Sequence, residues 1–394
     1  MIDSITAIGD VSDINCWSGI PYYFWQAALR QGWKTEPIRV RLERAKWLRR
    51  SWNAKQCLRG RGPGGFQYSE EFANWAWQFF PDTPAAPHIL SFHPFIPSLS
   101  RLRQSKGQLS LYFDATHPLM FARYNLGQSV SLSMRQYILE AERKIYHEAA
   151  RLVFFQRWAA ESAVRDCGAD PAKVSVILPG ANFELPASFR FHNPPDERGT
   201  DRPFYFGYVG KDWRRKGFRK LLATVEVLNR MGLAVRIHCI GLIPDDAQQN
   251  PYVRYHGFLD KRLALQNIID IMASCDLGCL LSDAEASSIA VLEFLRVGVP
   301  VMATAVDGME DLIPPDAGLR IDRNDPPETI AERLAVWLRS PDKLMGMRAR
   351  AQQWSARVTW DRCLQEWAEL LQTGRVNNPV QPWKGLVKHD LAGC

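Results

Sequence analysis

A cluster of basic residues lies in the segment YVGKDWRRKGF, residues 208–218. Its four cations stand between Gly210 and Gly217 and are Lys211, Arg214, Arg215 and Lys216. A predicted strand ends at Gly210 and a helix follows Gly217, so cationic side chains and free helical N–H groups converge. The Walker A pattern is absent, and one interpretation is a solvated basic turn. Because four adjacent cations would repel one another without an anionic partner, we favour a phosphate site.

Two glutamates bracket the start of a helix in DAEASSIAVLE, residues 283–293. The helix is predicted to begin near Ser287 or Ser288, and either serine is a natural N-cap. Glu285 falls in the loop before the helix, and Glu293 lies one to two turns into it. Their carboxylates could accept hydrogen bonds from the hydroxyls of a ligand. The alternative is one helix-dipole partner and one surface glutamate, each contributing about 0.3–1 kcal/mol.

The elements that must position these residues alternate between short apolar runs and amphipathic helices. The apolar runs cover residues 4–11, 88–95, 109–116, 151–156, 174–180, 204–210, 234–241, 276–282 and 299–306. Such runs, bounded by turn residues, are typical of strands buried on both faces of a parallel sheet. Residues 218–231 show the i, i+3, i+4, i+7 spacing of a helix with one buried stripe. Two strand and helix series predict two doubly wound α/β domains that bind ligands beyond the carboxyl ends of their strands.

The composition of the chain indicates where one series ends and the next begins. Residues 184–203 are rich in proline and charge and show little periodicity, as is typical of a linker. We therefore expect an N-terminal domain over 1–183 and a C-terminal domain over 204–352. Residues 353–394 start with a helical pattern, which we expect to pack back on the N-terminal domain.

Length and composition exclude several classes of protein. The 394 residues are 46% hydrophobic and 23% charged, which is typical of a soluble globular protein. No apolar run of 18 residues predicts a membrane-spanning helix. The eight cysteines are scattered without a C-x-x-C pair, which argues against a zinc or disulfide framework. The first residues lack the features of a secretory signal, so we expect a cytoplasmic protein.

Positive charge is concentrated in residues 30–61. This segment contains eleven Lys/Arg and two Glu, a balance of +9, whereas the whole chain has a net charge of +7. Tryptophans are interleaved with the cations, and an aromatic segment follows at 66–80. One interpretation is a solvated basic surface. Another is a peripheral patch for anionic lipid head groups, with the aromatic side chains at the interface. Nucleic-acid binding is disfavoured because no recognised binding motif accompanies the charge.

In combination, these motifs resemble those of the retaining glycosyltransferases of family 4, which have the GT-B fold. The similar segments in the C-terminal half are the basic cluster, the E-x7-E pair, YHGFLD (255–260) and GVPVMATAVDGMEDLI (298–313). Those in the N-terminal half are CWSGIPYYF (16–24), FDATHP (113–118) and FFQRWAAESAVRDCGADPAKVSVILPGAN (154–182). The resemblance covers about residues 1–370. It implies two Rossmann-like domains facing a central cleft, the first for the acceptor and the second for a nucleotide sugar.

The resemblance also implies roles for the charged residues. Lys216 would contact the diphosphate of the donor. Lys211 stands near the family's usual arginine, and Arg215 would share its role because the interval to Lys216 is one residue short. Glu285 would hold hydroxyls of the donor sugar, and Glu293 would hold the ribose.

Backbone groups complete the donor site that the resemblance implies. The residues around Ser287, Ser288 and Ile289 would present N–H groups to phosphate, although ASS replaces the family's glycines. Three glycines accompany them: Gly210 ends the strand before the basic cluster, Gly19 would let the first loop approach the diphosphate, and Gly257 belongs to a turn near the base.

The N-terminal half departs from the family's F-H-T arrangement. It reads FDATH, so that Asp114 stands where the family has a histidine and His117 follows three residues later. Either side chain could orient the acceptor or the sugar. His117 could equally be a structural residue at the start of a helix before Pro118.

The expected reaction follows from charge. Cleavage of the nucleotide sugar builds negative charge on the leaving phosphate. Cations and a helix N-terminus stabilise this charge, and each such group contributes about 3–4 kcal/mol. No D-x-D metal clamp is present, so we expect no metal or other cofactor. The acceptor would be a saccharide or a lipid-linked saccharide, in polysaccharide or glycolipid synthesis. The alternatives are an epimerase or phosphorylase of the same fold, or a non-catalytic scaffold that binds anions.

Overall fold

The computed structural model describes residues 2–81, 86–124, 130–191 and 202–375. Residues 192–201 of the predicted linker and residues 376–394 of the predicted tail lie outside the described residues. The described residues form two parallel six-stranded sheets with flanking helices, so the predicted pair of Rossmann-like α/β domains is confirmed. No described helix is both long enough and apolar enough to span a membrane.

The N-terminal sheet has the strand order β2-β1-β3-β4-β5-β6. Its strands are β1 (Ser4–Thr6), β2 (Glu36–Pro37), β3 (His88–Ser91), β4 (Gln108–Phe113), β5 (Arg151–Phe154) and β6 (Val174–Val176). Most end before the predicted apolar run does, because the last apolar residues of each run lie in the loop beyond the sheet. The sequence did not predict β2, which contains only two residues.

Helices cover both faces of this sheet. They are α1 (Ile20–Arg30), α2 (Lys46–Leu58), α3 (Glu70–Ala76), α4 (Leu99–Gln104), α5 (His117–Arg123), α6 (Leu132–Glu148) and α7 (Arg157–Arg165). Alternate residues of a strand point to opposite faces, so Leu111 and Tyr112 of β4 belong to two different apolar clusters. Both clusters exclude water from the sheet, as the continuous apolar runs predicted.

The C-terminal sheet has the strand order β12-β11-β10-β7-β8-β9. Its strands are β7 (Phe204–Gly210), β8 (Val235–Gly241), β9 (Val253–Tyr255), β10 (Leu277–Leu280), β11 (Val301–Thr304) and β12 (Gly318–Ile321). The sequence did not predict the two edge strands, β9 and β12. They are only partly buried, so they lack the continuous apolarity that identified the central strands.

The helices of the C-terminal half alternate with these strands. They are α8 (Phe218–Arg230), α9 (Asp245–Gln248), α10 (Lys261–Ala273), α11 (Ile289–Arg296), α12 (Met309–Leu312), α13 (Pro327–Leu338), α14 (Pro341–Ser355) and α15 (Trp360–Thr373). The strand order reverses between β7 and β10, and ligands of open α/β sheets bind at such switch points. The basic cluster follows β7, and the loop of Glu285 follows β10.

Two glycines let α11 lie close to this switch point. Gly207 of β7 and Gly278 of β10 are paired neighbours in the sheet. A Cβ at Gly207 would lie 2.5 Å from the ring of Phe294, and one at Gly278 would lie 2.3 Å from it. The buried ring of Phe294 therefore rests directly on the sheet and fixes the position of α11.

The last described helix, α15, packs on the N-terminal half of the molecule. The rings of Trp360 and Trp367 each lie 6.1 Å from the ring of Phe24 in α1. All three side chains are completely buried. Trp360 also donates from Nε1 to Oδ1 of Asn182 at 3.0 Å. The chain thus crosses to the C-terminal sheet and returns.

Candidate active site

A cleft of about 440 Å³ lies between the carboxyl ends of the two sheets. Both halves of the chain contribute to its walls. Of the residues singled out in the sequence, those lining it are Asp114, Gly210, Lys211, Arg215, Lys216, Glu285, Ser287, Ser288, Ile289 and Glu293. The sequence-derived candidates, which span about 180 positions along the chain, therefore come together in one place.

The basic turn after β7 is paired with a carboxylate of the protein. Lys216 Nζ lies 3.1 Å and Arg215 Nη1 lies 3.0 Å from Oε2 of Glu285. Arg215 also donates to the carbonyl oxygen of Ala284 at 2.8 Å. Gly217 has φ +65°, and a Cβ there would lie 1.8 Å from the carbonyl oxygen of Leu281. Only glycine allows the turn to approach the end of β10 this closely.

The four cations of this turn do not converge on one point. Arg214 stacks on the ring of Trp213 at 4.5 Å and is not among the residues that line the cleft. Arg215 lies 3.5 Å from Asp212 as well as close to Glu285. The anionic partners that these cations require are carboxylates of the chain, so the charge of the cations alone does not imply a bound phosphate. The prediction of a phosphate site rests instead on the positions of Lys211, Arg215 and Lys216.

Contacts from the N-terminal half hold the loop that carries Glu285. The hydroxyl of Tyr124 accepts a hydrogen bond from the amide of Ala286. Gln156 Nε2 donates to Ser287 Oγ at 2.7 Å. These contacts use the Ala286 N–H within the protein, so that this group is not free for phosphate. No sequence motif indicated either contact.

Asp307, in the turn after β11, fixes the backbone of Glu285. Its Oδ2 accepts from the Glu285 amide at 3.1 Å, and its other oxygen is paired with Arg123 of α5. Asp307 has φ +53°, an uncommon conformation for a residue other than glycine. The Asp307-Gly308 pair is a turn signal that could have marked this position.

The N-terminus of α11 opens into the cleft. Ser288 occupies the N-cap position, as predicted, but its side chain makes no capping hydrogen bond. Its residue is 1% exposed, and within the described residues Ser288 Oγ has no hydrogen-bond partner. The first N–H groups of a helix also lack intrahelical partners. A buried hydroxyl and the positive end of a helix therefore face the cleft, an arrangement suited to phosphate.

Glu293 forms an ion pair that the sequence did not reveal. Glu293 is only 3% exposed, and its carboxylate pairs with Nζ of Lys261 at the start of α10. Lys261 Nζ also lies 3.4 Å from the carbonyl oxygen of Asn182 and 5.9 Å from the ring centre of Tyr23. Lys261 thus joins the C-terminal half to two segments of the N-terminal half. No sequence motif marked it.

The N-terminal wall of the cleft includes a strained turn, Cys16–Gly19. Trp17 and Ser18 have φ values of 41° and 59°, and Gly19 has φ +87°. Asn182 Nδ2 donates to the carbonyl oxygen of Ser18 at 2.7 Å and holds the turn in place. Trp17 and Ser18 line the cleft, whereas Gly19 lies just outside it as the residue before α1.

Asp114 and His117 have different surroundings. Asp114 lines the cleft, where burial raises the pKa of its carboxyl to about 6 and the negative charge of Glu285 adds to the effect. His117 is buried among the rings of α5 and its neighbours, and its Nδ1 lies 2.9 Å from Glu142 Oε1. The structure thus brings Asp114, but not His117, to the cleft.

Gly257 also lies apart from the cleft. Its carbonyl oxygen accepts from the amide of Gly241 at 2.8 Å, and the next residue, Phe258, lines the cleft instead. Lys211 Nζ lies 4.9 Å from the centre of the Phe258 ring. Within the part of the chain that the structure describes, no group of three or more His, Cys, Asp or Glu side chains could hold a metal ion.

The chain is similar to known proteins in sequence and in fold. Residues 203–340 match the model of the family described as Glycosyl transferases group 1. Sucrose-phosphate synthase from Thermosynechococcus elongatus has a similar structure, with a TM-score of 0.65 at 16% identity, covering 94% of this chain and 98% of that one. The fold is GT-B.

Two further proteins are similar to the chain. HepE from Anabaena, solved in complex with UDP-glucose, has a TM-score of 0.56 at 13% identity, covering 95% of this chain and all of that one. A D-inositol 3-phosphate glycosyltransferase from Corynebacterium urealyticum is 26% identical over 246 residues, 56% of this chain. The chain matches about half of that relative's length, 55%.

Proposed function

We propose that the cleft transfers a hexose from a nucleoside diphosphate sugar to a hydroxyl group of an acceptor, with retention of configuration and without a metal ion. The observation that carries this proposal is the convergence of Lys216, Arg215 and Glu285 beside the N-terminus of α11. The group 1 glycosyltransferase match covers the same part of the chain. The likeness to HepE, which was solved with UDP-glucose, also supports it.

The diphosphate of the donor would take the place of Glu285 as the partner of the two cations. Lys216 and Arg215 lie within 3.1 Å of Glu285. Once phosphate oxygens bind these cations and the first N–H groups of α11, the Glu285 carboxylate is released to accept hydrogen bonds from the sugar hydroxyls. Glu293 would hold the ribose, with Lys261 as its counter-charge. The ASS sequence at 286–288 shapes the wall between these two glutamates.

The transfer step requires no protein nucleophile. The acceptor oxygen bonds to the anomeric carbon on the face from which the nucleoside diphosphate departs, and the bond from that carbon to the phosphate oxygen breaks. The acceptor proton passes to the leaving phosphate. Lys216, Arg215 and the α11 N-terminus stabilise the charge that develops there, each such donor by about 3–4 kcal/mol. These groups would do the work that a metal ion does in other transferases.

On the acceptor side, Asp114 is the residue that we place nearest the reaction. Its side chain lines the cleft, where the charges of Glu285 and Arg215 act on it, and would accept a hydrogen bond from the incoming hydroxyl or from the donor sugar. Since His117 is occupied by Glu142, we assign it a structural role. We propose a saccharide or a lipid-linked saccharide as the acceptor, at the cytoplasmic face of a membrane, in polysaccharide or glycolipid synthesis.

A screen for stabilising nucleotides tests the donor. The purified chain is heated with UDP, GDP, ADP and their hexose derivatives, with EDTA present and absent. A ligand that binds only the folded state raises the melting temperature by mass action, and we expect one base to stand out in both series. The anomeric proton signal of the product then reports retention. No stabilisation by any nucleotide would overturn the donor assignment, and a requirement for metal would overturn the metal-free step.

A further inference from the structure

Helix α2, Lys46–Leu58, has one buried face. Trp52 and Gln56 lie on it, with Trp52 only 4% exposed. Trp52 Nε1 donates to the carbonyl oxygen of Gly64 at 2.7 Å, and its ring belongs to the core cluster beneath the N-terminal sheet. The helix is therefore fixed in rotation, and its opposite face is presented to solvent.

The solvent face of α2 exposes two large apolar side chains. Trp47 is 78% exposed and Leu58 is 90% exposed. Arg50 and Ala54 lie between them at helical spacing and are also exposed. The Arg50 guanidinium lies 5.0 Å from the ring centre of Trp47. We call these four residues the α2 face. An exposed tryptophan and an exposed leucine on one ridge of a helix indicate an interaction surface.

The charge around the α2 face has one sign. Residues 46–61 contain six cations and no carboxylate: Lys46, Arg49, Arg50, Lys55, Arg59 and Arg61. All but Arg61 are exposed. The nearest preceding acid is Glu43, in the turn before the helix. An apolar ridge flanked by cations fits an anionic lipid surface, because each Lys or Arg near such a surface contributes about 1 kcal/mol while the ridge enters the head-group layer.

The segment before α2 is tied to a loop that leads to the cleft. The Val40 amide donates to the carbonyl oxygen of Gly9 at 2.9 Å, and the Val11 amide donates to the carbonyl oxygen of Ile38 at 3.3 Å. The loop that contains Gly9 and Val11 continues into Ile14 and Trp17, which line the cleft.

We propose that the α2 face docks the protein on anionic bilayers, with Trp47 and Leu58 at the level of the head groups and the flanking cations against the lipid phosphates. The inference rests on the exposed ridge and its charge, so it holds independently of the proposed glycosyl transfer. Within the basic segment 30–61, the proposal assigns lipid binding to one helix, α2. Mixed charge on the ridge would have favoured a protein partner, and the exposed side chain of Leu58 offers no stacking surface to a nucleic acid base.

Vesicle flotation with the full chain tests the proposal. Vesicles of phosphatidylcholine alone are compared with vesicles that contain 30% phosphatidylglycerol. We expect the wild type to bind only the anionic vesicles. The double variant Trp47→Ser, Leu58→Ser should bind them at least tenfold more weakly, and the triple variant Arg49→Gln, Arg50→Gln, Lys55→Gln should show an equal loss. A matched control on another surface, Val336→Ser with Arg339→Gln, should bind like the wild type. Binding that ignores the α2 substitutions, or that ignores the lipid charge, would overturn the proposal.

Cys57 supplies a second readout from the α2 helix. It is exposed, whereas the other described cysteines are buried, so a polarity-sensitive fluorophore attaches there once Cys394 is replaced by serine. Anionic vesicles should shift its emission to the blue, and a duplex oligonucleotide should leave it unchanged. Tight binding of the duplex without a vesicle response would assign the basic face to nucleic acid and contradict membrane docking. Circular dichroism of every variant confirms that the fold is intact.

Discussion

Lys216 Nζ lies 3.1 Å from Glu285 Oε2, and Arg215 donates to the same oxygen at 3.0 Å. The sequence assigns these residues to contacts with two different parts of one ligand, yet they are bound to each other. The carboxylate of Glu285 offsets only part of the positive charge of the two cations. When the donor binds, the two cations must exchange the carboxylate of Glu285 for the phosphate oxygens of the donor. This exchange leads to the first prediction.

Glu285→Gln should separate nucleotide binding from transfer. The substitution removes the carboxylate that competes with phosphate, so a nucleoside diphosphate without sugar should bind about fivefold more tightly, roughly 1 kcal/mol. Transfer should fall by about 10²-fold, since the sugar loses hydrogen bonds to a charged group worth about 1.5–3 kcal/mol. Calorimetry measures the first effect and initial rates the second. Glu332→Gln, on an exposed face, is the control, and weaker diphosphate binding by Glu285→Gln would contradict the exchange.

Lys261→Met should destabilise the fold, because it leaves the buried carboxylate of Glu293 without a counter-charge. Breaking a fully buried pair costs about 3–5 kcal/mol; since 24% of the Lys261 side chain is exposed, we expect about 2–3 kcal/mol. The double variant Lys261→Met, Glu293→Gln should recover much of this free energy of unfolding in urea titrations. Recovery of stability without recovery of donor affinity would show that the pair also positions the ribose. An unchanged midpoint for Lys261→Met would show that the pair is solvated.

Asp114 should give the reaction an acidic limb. Burial raises the pKa of its carboxyl from 3.8 to about 6, so below that pH it is mostly protonated and no longer offers the charged acceptor that binds a hydroxyl most strongly. Turnover should therefore fall as the pH decreases through about 6, and Asp114→Asn should lack that step. The same shift predicts that ionising Asp114 lowers wild-type stability as the pH rises from about 4 to 6. The denaturant midpoint of Asp114→Asn should therefore rise relative to that of the wild type as the pH increases across this window. Parallel pH profiles for the two proteins would contradict the raised pKa of Asp114.

Trp367→Ala should weaken the attachment of α15. Its ring is fully buried and lies 5.3 Å from the ring of Tyr112. Truncation of a buried tryptophan leaves a cavity and costs about 3–5 kcal/mol. Trp47→Ala is the matched control, because that ring is 78% exposed and its loss should cost less than about 0.5 kcal/mol. Thermal unfolding distinguishes them, and equal midpoints would show that α15 contributes little to the fold.

The fold could be predicted from the sequence wherever strands are buried on both faces. The run 204–210 became β7 with the predicted bounds, because a central strand of a parallel sheet is apolar throughout. Edge strands such as Val253–Tyr255 are partly exposed, so they gave no such signal. The strand bounds depend on register and packing across the sheet, which no single run contains.

The candidate site could be predicted only where it depends on local order. Gly210 is the last residue of β7, Lys216 and Glu285 follow the ends of β7 and β10, and parallel topology brings such positions together. Lys261 and Tyr124 act through side-chain contacts between distant segments, and local sequence does not determine those contacts. The same limit applies to Asp114 and His117, because the sequence did not decide which of them faces the reaction centre. In the structure His117 is bound to Glu142 inside the N-terminal half, which leaves Asp114 at the cleft.

Release of nucleoside diphosphate is the measurement that tests the proposed transfer most directly. The wild type and Lys216→Met are incubated with the nucleotide sugar that stabilises the fold best, with Lys343→Met as a charge-matched control outside the cleft. We predict that Lys216→Met lowers kcat by about 10²–10³-fold, equivalent to about 3–4 kcal/mol, while circular dichroism and the melting temperature stay unchanged. Equal release by Lys216→Met and the wild type, or no release by the wild type from any nucleotide sugar, would contradict glycosyl transfer at this cleft.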